Sequence, residues 1–284
     1  MSAEPSTISR VKCRQIVESD LSALSGMLTD GFHIHPHEFW SRSLARIAAR
    51  PAVEDMPRIG YALETESGLV GVILTLWSRR GDEMVCALSS WYVDRAYRRP
   101  HAASLPIAAT GIEGLLYLNT SPADHTRKSM SSMGWIQYNF GRSVAFPALT
   151  WGTGKVSEDI PPDLPEWVLL EEHRAWGCVS LVCRKAGAIF PFVFRARSVT
   201  RFNLPIMELI YCRDTSDFER CGAALGRWFL ARWFSGRGAL GVILDGKVKG
   251  MPSVYREGKE PRLYKGPRKP RLNDLAYTEK VLVG

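Results

Sequence analysis

The chain has 284 residues, which is long for one domain and enough for two domains of about 140 residues each. Its hydrophobic content of 45% and charged content of 23% are typical of a globular protein with a substantial core. The formal net charge of +8 favours anionic ligands without choosing among small molecules, lipid and nucleic acid. No apolar run approaches the ~20 residues that span a bilayer, and the polar N-terminus is not a signal peptide, so composition excludes both.

The six cysteines predict a reducing compartment. No two of them form a C-x-x-C motif, and several lie inside apolar runs, where cysteine behaves as a small buried hydrophobe. We therefore expect free thiols and a cytoplasmic protein.

The first half of the chain alternates helix and strand patterns. Apolar residues at helical spacing give way to β-rich runs separated by Gly-containing turns. In chain order the pattern predicts a strand at 11–16, helices at 20–32 and 38–49, strands at 59–66, 69–77 and 83–93, a turn at 96–104, a helix to about 112, and a strand at 115–118. A helix over 122–133, capped by Ser121 and ended by Gly134, and a strand from Tyr138 complete the half.

The second half repeats part of this order after a Gly- and Pro-rich stretch. We predict a first domain at 1–151, a linker at 152–165 and a second domain at 166–284. The second domain is expected to hold strands at 178–184, 188–194, 206–211 and 239–244, with a helix opened by a capping box of Ser216 and Glu219. Hairpin, strand, helix and strand follow each other as they do in 59–118, which suggests a structural duplication. Aromatic residues of that helix, Trp228, Phe229 and Trp233, are expected in the core.

One motif follows the predicted strand 83–93. The segment Ser90–Ala103 reads S-W-Y-V-D-R-A-Y-R-R-P-H-A-A, so a strand ends directly before a basic turn and a helix. The first backbone N–H groups of a helix lack partners within it, and the helix dipole adds positive potential. With Arg98 and Arg99 beside them, these groups suit a phosphate-bearing ligand.

A second motif lies further along the chain. A buried strand ends in Leu118-Asn119-Thr120, and the helix after it closes with Met133-Gly134-Trp135. Together the two motifs resemble the GCN5-related N-acetyltransferase (GNAT) superfamily, in which a strand ending in Val-x-Pro-x-Tyr-Arg precedes Arg/Gln-x-x-Gly-x-Gly/Ala. Val93, Tyr97, Arg98 and Ala103 match that pattern, whereas His101 replaces the central glycine.

The resemblance implies an α/β fold with a mixed α+β sheet, arranged as two GNAT-like units in tandem of which the second is degenerate. It implies an N-acyltransferase that takes acetyl-CoA or another acyl-CoA as donor and uses no metal. The last residues of the chain also resemble the family, since Asp274–Val281 looks like the last strand of another GNAT-like unit. The donor would contact Tyr92, Val93, Arg98, Arg99, His101, Ala102, Ala103, Ser104 and Asn119.

Catalytic roles are harder to assign, because two family positions differ. Ala87 and Leu88 stand where the family often has a glutamate, and Met130 stands where it often has an acidic tyrosine. Among His33, His35 and His37 we select His35 as the candidate base, and Tyr138 as the candidate general acid. Solvated loop histidines, a packed strand tyrosine and a metal site at the H-x-H-x-H sequence are the alternatives.

Three functions remain open at this level. The leading one is acyl transfer to a small-molecule amine such as an amino sugar, an amino acid or another metabolite. The second is a non-catalytic acyl-CoA-binding regulatory module. The third is association with nucleic acid through residues 256–271, which hold seven basic and two acidic side chains; this partner is disfavoured, because one short basic run is most often a solvated loop. The oligomeric state is not predicted.

Overall fold

The computed structural model describes residues 10–199, 204–232 and 238–283. The chain divides into two compact units: Met1–Asn119 with Tyr277–Gly284, here the first unit, and Thr120–Ala276, the second unit. The second unit thus begins ahead of the predicted linker at 152–165, and the last residues belong with the first unit. The assignment of functions to two domains stays a prediction. Among the helices of the described ranges, none is both long and apolar enough to cross a membrane.

The first unit is built on strands in the order β1-β2-β3-β4-β5. Neighbouring strands are antiparallel up to β4, and β4 pairs with β5 in parallel. The predicted hairpin turns are confirmed, with Gly68 and Gly81 at positive φ between successive strands. The elements are β1 Lys12–Gln15, α1 Leu21–Gly31, α2 His37–Ala49, β2 Gly60–Thr65, β3 Gly68–Arg80, β4 Glu83–Val93, α3 Arg95–His101, α4 Ser104–Ala109 and β5 Leu116–Asn119.

The connection from β4 to β5 is more helical than its composition suggests. The predicted turn at 96–104 is wrong, because α3 occupies most of it, while α4 begins at Ser104. None of the α3 side chains is buried, so forming this helix does not remove its charged side chains from water. The two short helices form the crossover that parallel strands require.

The second unit carries strands in the order β12-β6-β11-β10-β9-β8-β7. As in the first unit, three successive antiparallel pairings (β7 to β10) are followed by a helical crossover and a parallel pairing. The duplication suggested by the order of predicted elements stays a prediction. The elements are α5 Arg127–Ser132, β6 Ile136–Ala145, β7 Lys155–Ser157, α6 Trp167–Ala175, β8 Val179–Lys185, β9 Ala188–Val199, β10 Leu204–Cys212, α7 Thr215–Ala231, β11 Gly241–Asp245 and β12 Ser253–Lys265.

Four sequence predictions for this unit are corrected. The helix expected at 122–133 begins at Arg127, because Ala123 is extended (ψ 143°) and only a 3-10 turn lies between. The stretch 152–165 is not wholly linker, since β7 pairs with β8. The basic stretch 256–271 is largely strand β12, paired with β6, rather than a solvated loop. The helix α7 is capped by Asp214, whose carboxylate accepts from the Ser216 N–H, rather than by Ser216.

The core of the second unit lies between its sheet and α7. The apolar stripe of α7 meets the inward side chains of the strands, which excludes water from one face of the sheet. Trp228 and Phe229 belong to this core, as predicted; Trp233 lies outside the described residues. The core members from α7 are Phe218, Cys221, Ala224, Leu225, Trp228 and Phe229.

The end of the chain is not the strand that its sequence suggested. Residues 273–275 form a short irregular segment, and α8 follows at Glu279–Leu282. Within the first unit, α2 holds this end: the Ser43 hydroxyl donates to Val283 O at 3.2 Å and Arg46 donates to Val281 O at 3.0 Å.

A row of buried charges crosses the sheet of the second unit. Arg142 on β6 contacts Glu208 on β10 and Asp245 on β11, and Arg197 on β9 lies 3.3 Å from Glu208. Arg262 on β12 is fully buried, contacts both carboxylate oxygens of Asp245 and donates to Thr120 O. Burial opposes the charged form of Arg262, but the Asp245 carboxylate outweighs it, so the pKa of Arg262 is raised. The charges therefore fix the register of strands that are distant in sequence.

Substituting the arginine at either end of this row should destabilise the protein, but by different amounts. Arg262→Met leaves the Asp245 carboxylate buried without its main partner and should cost about 3–5 kcal/mol. Arg197→Met removes a 39% exposed side chain from the same row and should cost less than ~1 kcal/mol. Urea denaturation measures both, and equal losses would contradict the role assigned to Arg262.

A glycine substitution tests the fit of the loop at 147–154 against α7. A Cβ on Gly226 would lie 2.2 Å from the Ala148 backbone nitrogen, so Gly226→Ala should lower the free energy of unfolding by about 1–3 kcal/mol. The control is Gly26→Ala in α1, where nothing lies within 4 Å of the new Cβ. There the better helix propensity should raise stability by about 1 kcal/mol. Thermal unfolding would contradict the fit if both variants shifted the midpoint in the same direction.

Candidate functional site

Strand β4 has an open edge along its last residues. On one side it pairs with β3 over its whole length, from Arg80↔Glu83 to Gly71↔Val93. On the other side it pairs with β5 only from Val85 to Ala87. Within the described ranges of the first unit, residues 88–93 have no strand beside them on that side. Alternate N–H and C=O groups of this segment point away from β3 and need a partner, which must be water or a ligand.

A β-bulge lies within this open segment. Ser89 pairs with Leu74 and Tyr92 with Val72, so three steps along β4 match two along β3. Ser90 takes up the extra residue with φ at +51°, a left-handed conformation that is unusual for serine. The hydroxyls of Ser89 and Ser90 lie 3.1 Å apart. Bulges redirect side chains and end regular pairing, and they are frequent beside active sites.

The corresponding strand of the second unit is closed. β10 pairs with β11 only from Ile206 to Glu208, and its own bulge follows between Leu209 and Tyr211. There residues 273–275 of the same unit lie alongside: Cys212 N–H donates to Asn273 O at 3.0 Å and Leu275 N–H donates to Ile210 O at 2.7 Å.

The Asn273 side chain locks this closure to β11. Its Oδ1 accepts from Asp245 N–H at 2.7 Å and its Nδ2 donates to Asp245 O at 3.2 Å. The same strand arrangement thus occurs twice, open at β4 and filled by the chain's own backbone at β10.

The basic segment predicted from the first motif follows the open edge directly. It forms helix α3 and the residues up to Ser104, and is called the basic turn below. Arg98 is exposed, yet its Nε and Nη2 donate to Val93 O at 3.2 and 3.0 Å, and its guanidinium lies 6.0 Å from the Tyr92 ring centre. Arg98 therefore fixes the turn to the end of β4, whereas Arg99 is exposed to solvent.

The turn between α3 and α4 holds the remaining donor-binding candidates. His101 ends α3, Ala102 N–H donates to Arg98 O at 3.0 Å, and Ser104 begins α4. In the described chain, no backbone hydrogen bond is donated by Ala103 or Ser104. These N–H groups are directed donors beside two arginines, an arrangement suited to anionic oxygens.

Tyr92 links the open edge to the loop between α1 and α2. A Cβ on Gly31 would lie 2.6 Å from the Tyr92 ring, so only glycine allows this contact. Burial first, and then a hydrogen bond to Asp94, raise the pKa of Tyr92. Val93 beside it is buried and packs toward β3.

An aromatic cluster continues from Tyr92 into that loop. The Phe32 ring lies 6.1 Å from Tyr92 and 5.5 Å from Trp40, and Phe39 meets Trp40 edge-on at 5.3 Å. Sequence reasoning missed this cluster; its only signal was the set of aromatics flanking the H-x-H-x-H sequence.

The three loop histidines differ in their surroundings. His35 stacks on Phe39 at 3.9 Å and meets Trp40 edge-on at 5.9 Å, which joins it to the aromatic cluster. His37 Nδ1 lies 3.3 Å from the Ser41 hydroxyl, and His33 is exposed. Among the residues that the structure describes, no three histidine, cysteine or acidic side chains are grouped to hold a metal ion.

Asn119 and Tyr138 fall in different units. Asn119 is the half-buried last residue of β5, at the point where the pairing with β4 ends. Tyr138 lies on β6 of the second unit, where it is 2% exposed and meets the Tyr264 ring edge-on at 5.9 Å. The packing of Tyr138 in the core was the alternative weighed for it from the sequence, and its catalytic role stays a prediction.

Comparison with known proteins identifies the fold. No family model matches the chain, and no curated protein matches its sequence. Solved structures of low sequence identity share its fold.

A candidate acetyltransferase from Pyrococcus horikoshii superposes with a TM-score of 0.57 at 11% identity, over 98% of this chain and 96% of that one. A GCN5-related N-acetyltransferase from Anabaena variabilis gives 0.56 at 10% identity, over 90% and 72%. A GCN5-related glucosamine N-acetyltransferase region of a fungal multi-domain β-N-acetylglucosaminidase gives 0.57 at 12% identity, over 92% of this chain and 38% of that one. With its mixed sheet and helical crossovers, this chain therefore has the fold of the GCN5-related N-acetyltransferases.

Proposed function

We propose that the protein is an acyl-CoA-dependent N-acyltransferase whose donor binds along the open edge of β4. The observation that carries this proposal is the missing strand beside residues 88–93, next to a basic turn. The two units are interpreted as a tandem in which the second has lost its donor site, because residues 273–275 occupy the matching edge of β10.

The closed edge of β10 indicates what the open edge of β4 can bind. A backbone segment bearing amides pairs there through alternate N–H and C=O groups. The pantetheine arm of CoA is an extended chain with two amides, so it can satisfy β4 in the same way. An open β4 edge thus favours an amide-bearing ligand over a purely apolar one.

The phosphates of CoA fit the turn that follows. Arg99 and the N–H groups of Ala103 and Ser104 supply charge and directed donors, and Arg98 positions the turn on Val93. His101 stands where the family has glycine, and its half-buried imidazole would contact the phosphates rather than leave them to backbone alone. Asn119 would meet the donor at the end of β5.

The reaction proposed is direct transfer. The acceptor amine attacks the thioester carbonyl carbon, the C–S bond breaks, and CoA leaves as a thiolate. N–H groups of β4 beyond Ala87 would polarise the carbonyl oxygen. A base takes the proton of the amine, for which His35 is the candidate, and an acid then protonates the thiolate.

The acceptor is proposed to be a small-molecule amine. Phe32, Phe39 and Tyr92, which pack around the buried Trp40, would hold the body of the acceptor. An amino sugar is one candidate, because the similar fungal region is named a glucosamine N-acetyltransferase. Amino acids and other small amines are the remaining candidates, and the acyl group is proposed to be acetyl or a longer chain.

A non-catalytic acyl-CoA-binding module is the second candidate. Ala87 and Met130, which replace ionisable residues frequent in the family, favour it. Nucleic-acid association is favoured less, because Arg262 of the basic stretch is buried in ion pairs. The cytoplasmic location stays a prediction.

Acyl-CoA binding tests the donor site. Acetyl-CoA and longer acyl-CoAs at about 100 times Kd should stabilise the native protein by roughly 2.7 kcal/mol in a thermal-shift assay. Arg98→Ala/Arg99→Ala should abolish the shift, because it removes the charges and the tie to Val93. The control Arg268→Ala/Lys269→Ala makes the same charge change in the second unit and should keep the shift. Absence of any shift for the native protein, or its loss only in the control, would contradict the donor site.

Replacing His35 tests the candidate base. His35→Gln keeps a polar planar group but cannot take the proton, so kcat with a responsive amine should fall by about 10²–10⁴-fold while acyl-CoA still shifts the melting temperature. His33→Gln, a neighbouring exposed histidine, is the matched control and should keep kcat. Imidazole in solution should restore part of the activity to His35→Gln. An unchanged kcat would remove His35 from the mechanism.

A further inference from the structure

The most exposed tryptophan of the described chain lies far along the sequence from the donor turn, in the second unit. Trp151 is 99% exposed, and Leu149, two residues before it, is 70% exposed. Large apolar side chains are seldom left fully in water on a folded surface, and two of them together mark a contact surface.

The loop that carries Trp151 is firmly held against α7. Gly226 brings α7 within contact of the Ala148 backbone, and Gly152 approaches Ala223 in the next turn. The Arg227 guanidinium donates to Gly152 O at 2.7 Å, directly after the tryptophan. The exposure of Trp151 is therefore built into a packed loop.

Two basic side chains lie beside Gly152, the residue directly after this tryptophan. Lys185 Nζ donates to Arg220 O at 2.6 Å and lies 3.9 Å from the position of a Cβ on Gly152. Arg227 is exposed on α7, whereas the Arg220 guanidinium lies 5.4 Å from the Phe190 ring centre and belongs to a different contact. Leu230, 47% exposed, adds an aliphatic group one turn beyond Arg227.

The acidic residues of α7 leave two of these cations uncancelled. Glu219 accepts from the Lys249 N–H at 2.7 Å, and Asp217 is half-buried beside Arg220, whose attraction opposes the rise that burial causes in the pKa of Asp217. The cations beside the apolar pair are therefore Lys185 and Arg227. We call Leu149, Trp151, Lys185 and Arg227 the Trp151 surface.

We propose that the Trp151 surface docks the protein on an anionic phospholipid membrane. A tryptophan beside aliphatic leucines, with lysine and arginine around them, matches the boundary between lipid headgroups and acyl chains. The cations meet lipid phosphates while Trp151 and Leu149 enter the boundary layer. Nucleic acid offers stacking for tryptophan but no apolar layer for Leu149, so the aliphatic groups favour lipid.

Vesicle co-sedimentation of the full chain tests the proposal. The native protein should bind vesicles of phosphatidylcholine mixed with phosphatidylglycerol, bind pure phosphatidylcholine weakly, and dissociate at high salt. Trp151→Ser should weaken binding by roughly tenfold or more, since the lost side chain brings the largest apolar area. Arg227→Gln should weaken it by about fivefold, the effect of one basic residue near an anionic surface.

Matched controls separate docking from folding and from donor binding. Ile107→Ser removes an apolar side chain that is 60% exposed in the first unit and should leave vesicle binding unchanged. Trp151→Ser should keep the native melting temperature and the shift with acyl-CoA, because its side chain contacts solvent. Equal binding by Trp151→Ser and native protein, equal binding to both lipid mixtures, or no vesicle binding would overturn the proposal. A native dimer that Trp151→Ser converts to monomer would assign the surface to a second copy of the chain instead.

Discussion

The backbone of a strand must find hydrogen-bond partners on both sides, and this requirement shapes both units. β4 and β10 each lose their parallel neighbour after three paired residues, at Ala87 and Glu208. A bulge follows each loss, so neither strand can simply continue its ladder. At β10 the chain supplies residues 273–275 as the partner, whereas β4 is left to solvent or ligand. One backbone constraint therefore yields a structural closure in one unit and a candidate donor site in the other.

In the second unit, buried charged side chains stabilise the sheet. Glu208 occupies the last paired position of β10, as Ala87 does in β4, but Arg142 and Arg197 pair with it. Glu208 is thereby committed to ion pairs within the sheet. The ion-pair row and the closing segment meet at Asp245, whose carboxylate contacts Arg262 and whose backbone N–H donates to Asn273.

The sequence predicted the local elements better than the long-range ones. Strand 83–93 and the hairpins follow from alternation and from turn glycines such as Gly68 and Gly81, which act over a few residues. Within the basic stretch 256–271, Arg262 was misjudged, because its charge reads as solvated although Asp245, a partner 17 residues away, pairs with it in the core. The closing segment at 273–275 was likewise taken for a strand, since only the folded sheet shows that β10 has a vacant side.

The candidate site shows the same division between local and distant information. The turn after β4 was found from Arg98, Arg99 and the helix that follows, because these residues are contiguous. The aromatic contacts from Tyr92 through Phe32 and Trp40 to His35 join segments about sixty residues apart, and no spacing in the sequence reveals them. Gly31 is the residue that permits these contacts, since any side chain there would displace the Tyr92 ring. A family motif thus predicts a donor turn, whereas the proposed acceptor side depends on packing particular to this chain.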